Sequence, residues 1–279
     1  MGSVIIPAHN EAAVISRVLA PLAALVGEGV IEVVVACNGC TDGTAAVAGA
    51  FPGVRVLELS EPGKAQALNA ADEITNGFPR IYVDADIEVT RSAIMAVLRE
   101  LDHGPTLAAR PPCVYDTEDS SALVRAYHRA RRRLPASATA LWGAGIYAVS
   151  EAGHARIGGF PDLRADDFYV DSVFAPGEVR IVESPPVVVR APHTARSLLT
   201  VLGRTYAANS ECERALTGHG SVARRTTGNL GVLVRSARSL PMLVDAVVYA
   251  GFAAGGRLRS RRRMPTWARD DSTRQERRT

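Results

Sequence analysis

Two carboxylates separated by one residue, Asp84 and Asp86, directly follow the apolar run Ile81-Tyr82-Val83. Residues i and i+2 of an extended chain lie on the same side, so these side chains are expected to project together beyond a strand end. Paired carboxylates are unfavourable unless a positive partner neutralises them, and Mg²⁺ or Mn²⁺ takes oxygen ligands and bridges to phosphates. We therefore expect a divalent-cation site that holds a phosphorylated ligand. A solvated acidic turn is the alternative.

Two further polar turns carry residues suited to binding a nucleotide. Asp42, in the turn Asn38–Thr44, has a carboxylate that accepts hydrogen bonds from a base or a ribose hydroxyl; helix capping by Thr41 or Asp42 is the alternative. Lys64 follows Gly63 at the start of a predicted helix, a position that favours an anionic or hydroxyl-bearing ligand. The chain lacks the Walker phosphate loop, and no G-x-G-x-x-G dinucleotide fingerprint follows its first strand.

Short apolar runs alternate with helical patterns through the first half of the chain. This alternation predicts an α/β fold, a three-layer sandwich with a mainly parallel central sheet. Ligands bind at the carboxyl ends of strands in such sheets, so the turns after the strands are expected at one edge. Asn10 is predicted to cap a helix that begins at Glu11. The predicted strands are Ser3–Ile6, Ile31–Ala36, Val54–Leu57 and Arg80–Asp84, and the predicted helices are Glu11–Val26, Thr41–Ala50 and Lys64–Asn76.

The second half of the chain is less regular and mostly helical. A basic helix is predicted over Ser120–Leu134, a short strand over Val187–Arg190, and helical stretches from Ala195 to about Thr217 and over Leu230–Gly256. We predict a catalytic domain over residues 1–198, a C-terminal helical extension over 199–258, and a charged, disordered tail over 259–279.

Bulk composition limits the function classes. The 279 residues carry a net charge of +3, which is too small to indicate a nucleic-acid partner. No signal peptide is visible, and four cysteines in a chain of this length do not indicate a disulfide framework. A cytoplasmic protein is therefore expected, with peripheral attachment to the inner face of the plasma membrane as an open alternative.

The apolar stretch Pro241–Gly256 is followed by the arginine-rich segment Arg257–Arg263. About sixteen residues are too few to span a bilayer comfortably. Peripheral membrane contact through residues 241–263 is one prediction, because an interfacial helix with a basic flank suits an anionic leaflet. Packing against the catalytic domain or within a homodimer is the other.

Several motifs occur in an order and spacing that resemble family 2 glycosyltransferases. These are Val4–Glu11, Asn38–Thr44, Gly63-Lys64 with Asn69, Asp84–Asp86, Gly143–Gly145, Gly158–Phe160 and Asp166-Asp167. Each motif alone is weak, but the ordered series is specific and extends over roughly residues 3–200. The resemblance implies the GT-A (Rossmann-like) fold and a nucleotide-diphospho-sugar donor.

The resemblance also implies how the donor is held. Lys64 would lie near the base or the ribose, Asp86 would bind Mn²⁺ or Mg²⁺, and Asp84 would contact the ribose or the metal. His193, after the late strand, would be a further metal ligand. The predicted donor-binding residues are Pro7, Ala8, Glu11, Asn38, Asp42, Lys64, Asp84, Ala85, Asp86, Gly143 and Arg204.

The acidic pair Asp166-Asp167 matches the position where the family commonly has Glu-Asp. The resemblance implies that Asp167 is the catalytic base, with Asp166 as the alternative. The family often carries a Gln-x-x-Arg-Trp motif on the next helix, which processive synthases use at the acceptor channel. This chain lacks it, and Arg204 is the nearest candidate to meet a phosphate.

The implied reaction is the non-processive transfer of one sugar to an acceptor hydroxyl with inversion, and a UDP-sugar is the favoured donor. The alternatives are a retaining transferase on the same fold and a nucleotide-sugar-binding module without turnover. The motifs do not identify the acceptor, which is a small molecule, a glycan or a lipid-linked molecule.

Overall fold

The computed structural model describes residues 1–216 and 229–261, which divide into two compact units. The first comprises Met1–Val114 and Thr139–Val189, and the second comprises Tyr115–Ala138 and the described residues from Arg190 onward.

The strands are β1 (Gly2–Ala8), β2 (Ile31–Asn38), β3 (Val54–Leu59), β4 (Arg80–Val83), β5 (Ala108–Arg110), β6 (Cys113–Asp116), β7 (Ile146–Val149), β8 (Val179–Ile181) and β9 (Val187–Arg190). The helices are α1 (Ile15–Leu19), α2 (Ala23–Gly27), α3 (Thr44–Gly49), α4 (Lys64–Ile74), α5 (Arg91–His103), α6 (Ala122–Arg131), α7 (Ala136–Thr139), α8 (Glu151–Ile157), α9 (Asp166–Val173), α10 (Ala195–Ala215), α11 (Asn229–Arg235) and α12 (Leu240–Ser260).

The domain boundaries predicted at residues 198 and 258 stay predictions. Most of the predicted charged tail, residues 262–279, lies outside the described residues, as does Thr217 at the predicted end of the helix from Ala195.

Seven strands of the first unit form a central sheet in the order β3-β2-β1-β4-β7-β5-β8. Strands β1 to β4 pair in parallel, β7 runs antiparallel to both β4 and β5, and β5 pairs in parallel with β8. A separate two-stranded sheet pairs β6 with β9. The mainly parallel α/β sandwich expected from the sequence is confirmed.

The central strands are apolar on both faces because both faces of the sheet are covered. In β1, Val4 and Ile6 are buried in one core, and Ile5 between them is buried in the other. The same alternation places Tyr82 of β4 in the second core, apart from Ile81 and Val83. Replacing one of these fully buried side chains by alanine is expected to destabilise the protein by about 2–5 kcal/mol.

Strand order brings the polar turns together. Strands β2, β1 and β4 are neighbours and parallel, so their C-terminal ends meet at one edge of the sheet. Strand β7 runs in the opposite direction, with Ile146 beside Val83, so the residues that precede β7 reach the same edge.

The segment after β1 differs from the single helix predicted over Glu11–Val26. It consists of α1, a 3-10 turn over Ala20–Leu22 that contains Pro21, and α2. The capping role predicted for Asn10 is wrong, because α1 begins at Ile15 and its preceding residue makes no side-chain cap. The Asn10 carboxamide oxygen instead accepts hydrogen bonds from the N–H groups of Thr41 (2.6 Å) and Asp42 (3.2 Å) in the neighbouring turn.

The second unit is helical and has its own apolar core, in which Tyr127 of α6 stacks on Tyr249 of α12 at 5.2 Å. Arg129 of α6 donates hydrogen bonds of 3.0 and 2.7 Å to the buried carboxylate of Asp245 in α12. The stretch predicted over Leu230–Gly256 forms two helices, α11 and α12. Within residues 1–216 and 229–261, the chain has no helix that is both long enough and apolar enough to span a bilayer.

Candidate active site

A pocket opens at the edge of the sheet where β1 and β4 end. Five of its lining residues, Pro7, Lys64, Asp84, Asp166 and Asp167, belong to the site predicted from the sequence. The full lining consists of Pro7, Lys64, Leu68, Tyr82, Val83, Asp84, Gly145, Tyr147, Asp166 and Asp167.

The Lys64 ammonium group lies between two carboxylates of this pocket. Its Nζ is 2.7 Å from Asp84 Oδ1 and 2.7 Å from Asp166 Oδ1. The Asp166 side chain is only 6% exposed, whereas those of Lys64 and Asp84 are partly exposed. Lys64 therefore joins a carboxylate predicted for the donor to one predicted for catalysis.

These contacts set the charges in the pocket. Although burial lowers it, the carboxylates of Asp166 and Asp84 raise the pKa of Lys64 well above its ordinary value. Burial, helped by the carboxylates of Asp166 and Asp86 and opposed by Lys64, raises the pKa of Asp84 to about 6. Lys64 is consequently charged at neutral pH, and protons compete with cations for Asp84 just below neutral pH.

Asn38 fixes the start of the helix that carries Lys64. Its side chain is buried at the end of β2, where Nδ2 donates to the carbonyl of Ala8 at 2.9 Å and Oδ1 accepts from the N–H of Gly63 at 3.1 Å. Gly63 is the residue before α4, so Asn38 ties the ends of β1 and β2 to the first turn of that helix.

The acidic pair begins α9, where the unpaired N–H groups of the first helical turn favour negative charge. Asp166 Oδ2 accepts a hydrogen bond of 2.9 Å from the Tyr147 hydroxyl. Asp167 accepts one of 2.7 Å from the N–H of Gly143 and another of 2.7 Å from the N–H of Phe168. Asp167 is therefore held against the loop that precedes β7, while Asp166 is held by two side chains.

Asp167 has the properties of a proton acceptor. Burial, then repulsion from Asp166, raises the pKa of Asp167 above its ordinary value, against the opposing effects of the Gly143 N–H, Lys64 and the Phe168 N–H. A carboxylate with a raised pKa is a stronger base. Each of its oxygens accepts one backbone hydrogen bond and retains a further acceptor position.

Asp84 and Asp86 fit one common mode of metal binding. Asp84 is partly exposed, and half-buried Asp86 forms no hydrogen bond or ion pair with any residue in the described ranges. In the part of the chain that the structure describes, no three His, Cys, Asp or Glu side chains cluster as a metal-binding group. Mg²⁺ is often bound by one or two carboxylates together with substrate phosphates, and this pair of oxygen ligands suits such a site.

Gly145 allows the backbone to approach Asp84 closely. Its carbonyl accepts a hydrogen bond of 2.8 Å from the Asp84 N–H, and its φ of +66° is a conformation that favours glycine. A Cβ atom here would lie 2.5 Å from Ile87 Cδ1 and 3.3 Å from Asp84 Oδ2. The position is therefore restricted both by conformation and by space.

The loops after β1 and β2 are joined by hydrogen bonds that involve Asp42 and Glu11, two of the predicted donor-binding residues. Asp42 accepts hydrogen bonds from the N–H groups of Ala12 (3.2 Å) and Thr44 (3.0 Å) and from the Thr44 hydroxyl. The Glu11 N–H donates to Thr44 Oγ1 at 2.7 Å. These contacts hold both loops beside the pocket wall that Pro7 contributes.

Asn69 connects α4 to the turn that leads into α9. Its amide donates to the Phe160 carbonyl at 2.8 Å, and its oxygen accepts from the Phe160 N–H at 2.8 Å. The connection holds the turn that precedes Asp166 and Asp167 against the helix that carries Lys64.

Sequence reasoning missed the aromatic wall of the pocket. Tyr82 and Tyr147 both line it and stack on each other, with ring centroids 5.1 Å apart. Tyr147 lies two residues after Gly145, but Gly145 precedes β7 and has a φ of +66°, so strand alternation does not place the two on one face. The antiparallel register of β7 beside β4, which places Tyr147 next to Tyr82, leaves no pattern in the sequence.

Two predicted site residues belong to the second unit. His193 follows β9, and its carbonyl accepts a hydrogen bond of 2.8 Å from the Ser121 N–H. Arg204 lies within α10. The metal-binding role of His193 and the phosphate contact of Arg204 stay predictions.

A family model described as Glycosyl transferase family 2 matches residues 3–148, just over half of the chain. The chain belongs to this family. It is a glycosyltransferase, and the resemblance seen in the sequence is confirmed. The matched range contains Lys64, Asp84 and Asp86, whereas Asp166 and Asp167 lie beyond it.

Solved structures share the fold. The mannosyltransferase PcManGT from Pyrobaculum calidifontis, in complex with GDP-Man and Mn²⁺, aligns with a TM-score of 0.58 at 22% identity over 92% of this chain and 73% of that chain. Glucosyl-3-phosphoglycerate synthase from Mycobacterium tuberculosis, in complex with Mn²⁺, UDP and glucosyl-3-phosphoglycerate, aligns with a TM-score of 0.53 at 21% identity over 78% of this chain and 79% of that chain. No curated protein matches the chain. At these identities the likeness establishes the fold alone.

Proposed function

We propose that this glycosyltransferase moves one sugar from a nucleoside-diphosphate sugar to an acceptor hydroxyl, with inversion and without processive addition. The observation that carries the proposal is the pocket in which Lys64 lies between Asp84 and Asp166, with Asp167 beside it. A carboxylate suited to a metal and a carboxylate suited to proton acceptance thus line the same pocket.

The donor is held at the ends of β1, β2 and β4. Asp86 and Asp84 would bind Mn²⁺ or Mg²⁺, which supplies charge stabilisation for the departing diphosphate. The complexes of related folds with GDP-Man and Mn²⁺, and with UDP and Mn²⁺ or Mg²⁺, support a metal-bound nucleotide here. We favour a UDP-sugar, and a GDP-sugar is the donor to test beside it.

Asp167 acts on the acceptor. Its carboxylate accepts the proton of the acceptor hydroxyl while that oxygen forms a bond to the anomeric carbon of the sugar. The bond from the anomeric carbon to the diphosphate oxygen breaks, and the nucleoside diphosphate leaves with the electron pair. The positive charge of Lys64 stabilises the negative charge that develops on the leaving diphosphate. Attack opposite the leaving group inverts the anomeric configuration.

A thermal-shift screen of UDP and GDP, each with Mn²⁺ and with Mg²⁺, tests donor binding. A ligand that binds the native state at about 100 times its Kd adds roughly 2.7 kcal/mol of apparent stability, so the preferred pair should raise the Tm. Asp86→Asn should abolish the metal-dependent part of that rise. Asp119→Asn is the matched control, because it removes an exposed carboxylate from the second unit.

Product analysis tests the reaction itself. With a competent donor and acceptor, the proton NMR spectrum of the product should show the anomeric configuration opposite to that of the donor. Retention would replace the inverting mechanism with a retaining one on the same fold. Metal-independent binding of every nucleotide diphosphate, unchanged in Asp86→Asn, would contradict the proposed donor site.

A further inference from the structure

Helix α12 is apolar on two sides, and only one of them packs against other residues of the ranges 1–216 and 229–261. Its buried side includes Tyr249, Phe252 and Ala253 in the core of the second unit. A second row of apolar or small residues recurs at intervals of four, three, four, three and four, which is the spacing of one helix face. This row, the α12 stripe, consists of Leu240, Val244, Val247, Gly251, Ala254 and Leu258, all of which are exposed.

The exposure of the α12 stripe is large. Leu240 is 74% exposed, Val247 is 71% exposed and Leu258 is 62% exposed. Leu243 of the same helix and Val234 of α11 are also exposed large apolar residues. Single exposed apolar residues are common on proteins, but a continuous apolar patch indicates an interaction surface.

The exposed charged residues of the segment 229–261 are all positive. Within residues 229–261 the only acidic residue is Asp245, which is buried and paired with Arg129. Five arginines of this range are exposed, namely Arg235, Arg238, Arg257, Arg259 and Arg261. Arg257 and Arg259 adjoin Leu258 on either side, and Arg261 follows it by three residues, which places basic groups at the end of the stripe.

We propose that the α12 stripe lies along the surface of an anionic lipid bilayer, with its aliphatic side chains in the interfacial region and the arginines at the headgroups. A helix with one aliphatic face, basic flanks and no exposed acid has the composition of an interfacial helix. Arginine extends its charged end towards headgroups while its stem covers apolar surface, and each such residue adds to the attraction of anionic lipid.

The same charges disfavour a second copy of the chain as the occupant. A twofold contact places like patches against each other, so five unbalanced arginines would repel their counterparts. The α12 stripe also lacks the aromatic anchors that dominate protein–protein interfaces. This surface is independent of the transferase chemistry, and its test requires no donor or acceptor.

Vesicle co-sedimentation of the full chain tests the proposal. The protein should bind vesicles of phosphatidylcholine with roughly one third phosphatidylglycerol, and should bind pure phosphatidylcholine vesicles about tenfold more weakly. Val247→Glu and Leu258→Glu should each weaken binding to the anionic vesicles by about tenfold. Leu123→Glu is the matched control, because Leu123 is an exposed apolar residue of α6 and gains the same charge. Circular dichroism melting should give the same Tm for all three variants, since each site is exposed.

Three results would overturn the proposal. The first is no sedimentation of the wild type with anionic vesicles. The second is an equal loss of binding in Leu123→Glu, which would show that net charge alone governs binding. The third is a dimer in sedimentation equilibrium that Val247→Glu dissociates, which would assign the α12 stripe to a second copy.

Discussion

The ammonium group of Lys64 donates a hydrogen bond of 2.7 Å to Asp84, and the same nitrogen lies 2.7 Å from Asp166. Lys64 is the only lysine in the chain, and the rest of its Lys and Arg residues are all arginines. A compact ammonium group with three donors fits between two carboxylates on different elements, whereas the planar fork of arginine favours one carboxylate at a time. The structure therefore gives a physical reason for a lysine at this position.

Lys64→Met should separate two effects of this contact. Loss of the positive charge should raise the affinity of the donor-free protein for Mn²⁺ at pH 8 by about tenfold, because the ammonium group no longer competes with the metal for Asp84. Transfer should fall by about 100-fold in kcat/KM, because the leaving diphosphate loses a positive neighbour. Calorimetric titration with Mn²⁺ and steady-state kinetics measure the two changes.

The same variant leaves the buried Asp166 carboxylate without its cation, which should destabilise the fold by about 3 kcal/mol. The double variant Lys64→Met/Asp166→Asn removes that uncompensated charge and should recover most of the lost stability without recovering activity. Unchanged Mn²⁺ affinity in Lys64→Met would show that Lys64 does not compete for the metal-binding carboxylates.

Asp167→Asn should abolish proton acceptance while it preserves the fold. An amide oxygen is able to accept the Gly143 N–H, but the amide NH2 then faces the Phe168 N–H in place of an acceptor, so the protein should lose about 1 kcal/mol of stability and still fold. We expect kcat to fall by roughly 10²–10⁴-fold, with nucleotide binding retained. Asp166→Asn is the comparison: it should weaken the hold on Lys64 and lower kcat less. If Asp167→Asn kept the kcat of the wild type, the catalytic base would be assigned to Asp166 instead.

The fold and the sheet edge predicted to bind the donor follow from local sequence patterns, whereas the contact between Lys64 and Asp166 does not. Apolar runs placed β1, β2 and β4, and the strand-end rule placed Asp84 and the loop of Asp42 at one edge. Lys64 was expected near the base or the ribose, but its partner Asp166 lies far along the chain and is brought to it by α9. The Asn69–Phe160 connection that sets this approach has no periodicity to reveal it.

His128 should make the second unit sensitive to acid. It is buried, neither ring nitrogen has a hydrogen-bond partner in residues 1–216 or 229–261, and it stacks on Tyr115. Burial, then the charges of Arg131 and Arg132, lowers the pKa of His128 from 6.5 to about 3. The folded state therefore binds fewer protons than the unfolded state between these values, and stability present above pH 6.5 is lost as the pH falls.

The loss for His128 should be about 2 kcal/mol at pH 5 relative to pH 8, measured by urea unfolding. His128→Phe keeps the aromatic packing and removes the titrating ring, so its stability should vary less over this range. The difference between the two proteins at pH 8 measures packing alone, and the further difference at pH 5 isolates the titration. Parallel pH profiles of both proteins would contradict the assignment.

Gly145→Ala should disturb the part of the pocket predicted to bind metal. The cause should be steric overlap of the added Cβ with its neighbours rather than backbone strain. Gly145 and Gly158 have φ values of +66° and +68°, so alanine at either position carries a similar conformational penalty of about 1 kcal/mol. A Cβ at Gly158 has no atom within 4 Å, whereas a Cβ at Gly145 would lie 2.5 Å from the buried Ile87 side chain. Gly145→Ala should therefore be destabilised by about 1–3 kcal/mol more than Gly158→Ala in urea unfolding, because the overpacked core must shift.

The shift caused by Gly145→Ala should also move Asp84, because the Asp84 N–H is hydrogen-bonded to the Gly145 carbonyl. Only Gly145→Ala, and not Gly158→Ala, should therefore lose affinity for Mn²⁺ in the presence of nucleotide. Equal losses of stability and of metal affinity in the two variants would mean that the left-handed backbone, and not the close approach to Ile87 and Asp84, is what requires glycine here.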